Sequence, residues 1–202
     1  GRGHDVTLLP LYTPTRTDET NVSQPRVFFG GISVYLEQHV SLFRKTPWLI
    51  DRLWESPWLL RTVAGRAVGT SPTHLGSLTV SVLEGAHGHQ RKELDKLVHW
   101  LKDQPRPDVL DISNSMLIAI AGPLKAALGC PIACTLQGEN VFMDGLLEPY
   151  RSRAKTLVQS HLPDVDAFVA VSDYYAGYMS RHLGIPGAKM RVVPLGVNLD
   201  RF

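Results

Sequence analysis

From residue 108 onward, short apolar runs alternate with longer stretches of helical periodicity. Asp108–Ser113 (DVLDIS), Pro131–Leu136 (PIACTL), Phe168–Val171 (FVAV) and Arg191–Val193 (RVV) each read as a short buried strand. Met116–Leu128, Pro149–Leu162 and Asp173–His182 read as helices between them. The last unit carries its own punctuation. Ser172 predicts an N-cap, Asp173 suits the first turn, and Gly184 followed by Pro186 predicts the stop. Tyr174, Met179 and Leu183 fall among the apolar positions of that helix. Gly129 closes the helix before Pro131, and Phe142–Leu147 reads as a lid-like connection.

The N-terminal part is less regular. Asp5–Leu11 reads as a strand after the Gly-rich turn Gly1–His4. Residues 12–29 read as a loop with a short strand at Arg26–Phe29. Gly30 and Gly31 precede an amphipathic helix reaching Phe43, where backbone N–H groups can turn toward a phosphate or sugar; the plainer reading is a flexible turn. Residues 44–66 hold Trp48, Trp54 and Trp58 among five arginines and lysines, cut into short helices by Pro47 and Pro57. Such a segment can cap the sheet, form an acceptor pocket, or make peripheral contact with a membrane. Ser77–Leu83 reads as a strand or as the start of a helix, and Gln90–Lys102 as an amphipathic helix with Leu94, Leu97, Val98, Trp100 and Leu101 inward. Strands marked by Val6, Val109, Ile132, Phe168 and Val192 then predict an α/β fold, a parallel sheet with helices on both faces.

Composition narrows the function classes. The chain has 202 residues, 44% of them hydrophobic and 20% charged, with a net charge of +2. That balance argues against general nucleic-acid binding. No run reaches the roughly 18 apolar residues of a membrane span. Cys130 and Cys134 are the only cysteines and read as reduced core thiols, which favours the cytoplasm. His87 and His89 near Glu84 lack the further ligands of a zinc site. No strand is followed by G-x-G-x-x-G, which disfavours an NAD-dependent oxidoreductase.

Polar chemistry gathers where strands end. Open parallel sheets bind ligands beyond the carboxyl ends of their strands. After Asp108–Ser113 stands Asn114, and after Pro131–Leu136 come Gln137, Gly138 and Glu139. Gly138 lets the backbone approach a ligand, and packing alone does not ask for Gln137 or Glu139 there. Gln137, Gly138, Glu139, Asn114, Gly30 and Gly31 are therefore the candidate substrate-binding residues. None is assigned as catalytic or as a metal ligand.

Four motifs share an order and spacing: PDVLDISNS (107–115), TLQGEN (135–140), FVAVSDYYAGYMSRHL (168–183) and RVVPLGVNLDRF (191–202). Together they resemble the first domain of GT-B glycosyltransferases of the retaining, family-4 type, and RGHDVTLL (2–9) looks like its second strand. The resemblance implies a Rossmann-like, acceptor-side domain over residues 1–194, one half of a GT-B fold with its first strand lying upstream, and the start of an interdomain linker over 195–202. It implies transfer of a sugar from a nucleotide-sugar donor to an acceptor hydroxyl, with retention and without a metal or other cofactor. The acceptor would be a carbohydrate or lipid-linked, met in the cytoplasm or at the inner face of the membrane. The donor would be held mostly by a second Rossmann domain after Phe202. This chain is thus expected to be inactive alone and, lacking its first strand, of low stability. Gln137 stands where the family has His, and Leu195 where it has Asn. Alternatives are a nucleotide-sugar epimerase of the same fold and a non-catalytic domain that binds carbohydrate or lipid head groups.

Overall fold

A computed structural model describes residues 3–11 and 72–196. The chain divides into two compact units, Gly1–Gly69 with His89–Trp100, and Thr70–Gly88 with Leu101–Phe202. The described elements run in the order α1 (Pro72–Leu83), α2 (Arg91–Lys102), β1 (Leu110–Ile112), α3 (Ala121–Leu128), β2 (Ile132–Leu136), α4 (Asn140–Asp144), α5 (Tyr150–His161), β3 (Ala167–Ala170), α6 (Asp173–Leu183) and β4 (Met190–Val192). Short 3-10 turns at Gly85–His87, Ser115–Ile120, Leu162–Asp164 and Gly187–Lys189 link them.

In the first unit, Asp5–Leu11 forms no strand. It holds one bridge residue, Leu8, and Val6 and Leu8 are exposed. The run has β propensity but buries too little to reward pairing. Most of α2 belongs to this unit, and it buries Leu94 and Leu97 as the periodicity predicts. Glu93 is buried beside them, its carboxylate accepting from Lys96 Nζ at 2.7 Å.

The second unit holds the sheet. Its four strands are all parallel, in the order β1-β2-β3-β4, with helices around them. The fold is α/β and Rossmann-like. The register puts Ile112, Cys134, Phe168 and Met190 in one row across the sheet, with Ile132, Leu136 and Ala170 on the same face. Ile132, Cys134, Leu136, Phe168 and Ala170 on that face are wholly buried. The opposite face carries Asp111, Ala133, Thr135, Val169 and Arg191, each half-buried or exposed. The core continues into the helices through Leu83, Leu124, Val158, Met179 and Leu183.

Local sequence explains most element ends. Ser77–Leu83 belongs to helix α1. The expected helix over Met116–Leu128 is two pieces, a 3-10 turn and then α3. Pro123 has no N–H to give, and the break places it in the first turn of a new helix, where none is needed. Ser172 Oγ accepts from Tyr175 N at 3.2 Å, and Gly184 ends α6 at φ 76°.

Two charged groups tie the N-terminal ends of the strands. Lys189 Nζ donates to the carbonyls of Leu162, Pro163 and Val165 at 3.1, 3.3 and 2.6 Å. These carbonyls lie in the turn after α5, where a helix end leaves acceptors unpaired. Asp166 accepts from Lys125 Nζ at 2.6 Å and from Ile132 N at 2.8 Å. The Lys125 ammonium, helped by the Ile132 amide, holds the Asp166 carboxyl below its ordinary value. A depressed folded pKa stabilises the fold above the ordinary aspartate value, and that contribution is lost as pH falls through the folded value. Asp166→Asn is therefore expected to lower stability at pH 7 and to flatten the acid limb of the stability–pH curve, so that the two proteins converge toward pH 3. Urea midpoints measured from pH 7 down to pH 3 check this, and an unchanged acid limb counts against it.

Candidate functional site

Three strand ends meet at the carboxyl edge of the sheet, and one side chain joins them. Glu139 follows β2 and is 9% exposed, its carboxylate turned into the protein. Oε1 accepts from Ser115 N at 2.9 Å and Ser115 Oγ at 2.8 Å, just beyond β1. Oε2 accepts from Gln137 N at 2.7 Å and lies 3.2 Å from the Tyr175 hydroxyl on α6, which follows β3. A carboxylate has acceptor sites for about four donors, and here three are met and the Tyr175 hydroxyl, shared with Asn140, is in reach of the fourth. Ser115 is wholly buried, so its N–H has no water to turn to.

The same arrangement directs Gln137 outward. Its backbone N–H is held by Glu139, and the residue itself is exposed. Gly138 follows at φ 92°, a conformation that side chains rarely adopt, and no atom lies within 4 Å of where a Cβ would stand. Its N–H donates to the Tyr175 hydroxyl at 2.8 Å. Tyr175 OH also lies 3.0 Å from Asn140 Oδ1. Burial and the Glu139 charge push the phenol up to about 12, so it stays a neutral donor and acceptor across the physiological range.

Of the expected lid-like connection Phe142–Leu147, residues 142–144 belong to α4, which α6 holds at both ends. Tyr175 meets Asn140 at its start. At its end, Tyr178 OH donates to Asp144 Oδ2 at 3.4 Å, and His182 Nε2 lies 3.4 Å from Asp144 Oδ1. Tyr175, Tyr178 and His182 stack along α6, with ring centroids 6.3 and 5.4 Å apart. Tyr174, expected on the apolar face, is 79% exposed, because the helix turns Ala176, Met179 and Leu183 inward.

The sequence candidates thus separate. Gln137 and Gly138 face outward together. Glu139 lies beneath them as a brace rather than in contact with solvent. Asn114 sits nearby in chain order, but its Oδ1 accepts from Met116 N at 3.0 Å and caps the 3-10 turn. Gly30, Gly31 and residues 44–66 lie outside the described residues. Tyr175 is the residue that sequence reasoning missed, since nothing in the pair Tyr174-Tyr175 says which ring points inward.

Neighbouring groups set the tone of the site. Thr135 Oγ1 lies 2.8 and 3.0 Å from the two Asp111 carboxylate oxygens, and burial raises the Asp111 pKa. Cys130 and Cys134 are free and buried, and burial pushes the Cys134 thiol well up, with Glu139 and Asp111 adding to it. Both are inert core thiols, as expected. Among the described residues no group of three His, Cys, Asp or Glu side chains could hold a metal ion, and no helix is long and apolar enough to cross a membrane. Glu84, near His87, pairs instead with Arg153.

An all-parallel α/β sheet with helices around it places the chain in the Rossmann-like class. The family model described as Glycosyltransferase Family 4 matches residues 74–201, which takes in the whole sheet and the Gln137 turn. The chain belongs to that family. No curated protein and no solved structure matches it.

Proposed function

We propose that this chain is the acceptor-side domain of a retaining glycosyltransferase. In this reading a nucleotide-sugar donor gives its sugar to a hydroxyl of a carbohydrate or lipid-linked acceptor, without a metal. The family match supports glycosyl chemistry, and the exposed Gln137 amide above its Glu139 brace carries the assignment of the site. A primary amide offers both an acceptor and donors to a sugar hydroxyl but takes up no proton near pH 7. Gln137 thus binds and orients the acceptor and is not a general base. The donor's diphosphate is assigned to a second domain of the intact protein, so residues 1–202 alone would bind acceptor without turning over. The reaction would run in the cytoplasm, at the membrane's inner face for a lipid-linked acceptor.

Gln137 in the place of the family's His favours a second reading, a domain that binds carbohydrate or lipid head groups without catalysis. Transfer of labelled sugar by the intact protein separates the two. Absence of transfer across a panel of nucleotide-sugars, with acceptor binding intact, would leave only the second. Either reading expects Gln137→Ala to weaken acceptor binding about tenfold, the worth of one or two neutral hydrogen bonds, with the fold unchanged. Saturation-transfer NMR against candidate glycosides measures it, and equal affinities would move the site elsewhere.

A further inference from the structure

The Gln137–Gly138 turn is fixed by hydrogen bonds rather than by packing. Nothing lies within 4 Å of the position a Gly138 Cβ would take, and both residues are exposed. Two contacts set its course: Gln137 N to Glu139 Oε2 at 2.7 Å, and Gly138 N to Tyr175 OH at 2.8 Å. The second is directional for a chemical reason. Glu139 Oε2 and Asn140 Oδ1, at 3.2 and 3.0 Å from the phenol, can only accept. The hydroxyl proton must point at one of them, which leaves the oxygen lone pair for the Gly138 N–H. The ring is steadied by its near-parallel stack on Tyr178, at an interplanar angle of 9°.

We propose that Tyr175 is a positioning residue for the acceptor: its hydroxyl, oriented by Glu139 and Asn140, fixes the Gly138 N–H and through it the place of the Gln137 amide. The proposal rests on Gln137 being the group that meets the acceptor. Tyr175 itself touches no reacting atom. It acts from a helix after β3 on a turn after β2, and so makes the site depend on the packing of two βα units.

Tyr175→Phe tests this, because it keeps the ring and the stack and removes only the hydroxyl. The Gly138 N–H it would free lies at an exposed turn, where water can take the phenol's place. Tyr178→Phe is the control, since its hydroxyl reaches Asp144 and not the turn. Amide hydrogen exchange of Gly138, read by NMR on the intact protein, should be slowed at least about tenfold in the wild type and in Tyr178→Phe, and released in Tyr175→Phe. Binding of methyl α-D-glucopyranoside and methyl α-D-mannopyranoside gives the second arm. Whichever glycoside the wild type binds should bind Tyr175→Phe about tenfold more weakly. Where transfer is measurable, the acceptor KM should rise by a similar factor with the donor KM within about twofold. An unprotected Gly138 amide in the wild type would overturn the proposal even if the variant failed to fold. So would released exchange with acceptor binding unchanged. A wild type that binds neither glycoside and transfers nothing counts against the glycosyl reading, while the exchange data still decide whether Tyr175 holds the turn.

Discussion

Glu139→Ala is expected to cost about 2–4 kcal/mol of stability, from lost charge-assisted hydrogen bonds and a buried donor left unpaired. The reason lies in what it leaves behind. Ser115 N–H and Oγ, Gln137 N–H and the Tyr175 hydroxyl all address this one carboxylate. Ser115 is wholly buried, so its N–H would be stranded without a partner. The Ser115 hydroxyl can rotate and Tyr175 can use Asn140, so the backbone donors carry most of the loss. Glu139→Gln matches the shape but not the chemistry, because an amide nitrogen would face a donor at one end. It is expected to fall between alanine and wild type. Urea unfolding measures both, with the midpoint shifting by about 1 M or more and the slope unchanged. A loss under about 1 kcal/mol for the alanine variant would mean that the three strand ends are held by something other than this carboxylate.

Gly88→Ala is expected to lower Tm by roughly 10 °C, corresponding to a loss of about 3 kcal/mol. A Cβ on Gly88 would lie 1.8 Å from the Ser81 carbonyl oxygen and 2.9 Å from its carbon. Both are backbone atoms in the last turn of α1, so no side chain can swing aside to make room. The turn is also tied at close range, with His87 N donating to Glu84 O and Gly88 N to Gly85 O. Either α1 loses its last turn or the Gly85–His87 turn re-forms. Differential scanning calorimetry reports the shift. A change under about 3 °C would show that this junction yields easily, against the close packing that surrounds Leu83.

Where the answer depended on neighbours in sequence, the residues announced it. Ser172 and Gly184 act within one helical turn of their partners, and both caps are where the sequence places them. The four C-terminal strands are short apolar runs bounded by polar residues, and their boundaries differ from expectation by a residue or two. Where the answer depended on distant partners, it was not legible. Gln137 and Glu139 look alike as polar residues after a buried strand. What sends one outward and the other inward is Ser115, 24 residues before Glu139, and Tyr175, 36 after it. The phase of α6 was misjudged by one residue at Tyr174-Tyr175, where either ring suits a helix. Asp5–Leu11 departs in the opposite sense, having strand propensity without the burial that extends a single bridge into a strand.

Helix α4 is attached through its polar ends and one buried side chain. Of its five residues only Met143 is buried, while Val141 and Phe142 are 75% and 44% exposed. Detaching it would break contacts to Asn140 and Asp144 and bring one buried apolar side chain, Met143, into water, a small area beside that of the sheet. The denaturant sensitivity and heat capacity of an opening both scale with the surface it exposes. Amides of residues 140–144 should therefore exchange by an opening whose free energy barely changes with added urea, while those of β2 and β3 exchange only through a urea-sensitive unfolding. The carboxyl edge and the interior of this sheet would then respond to the same solvent on two different scales.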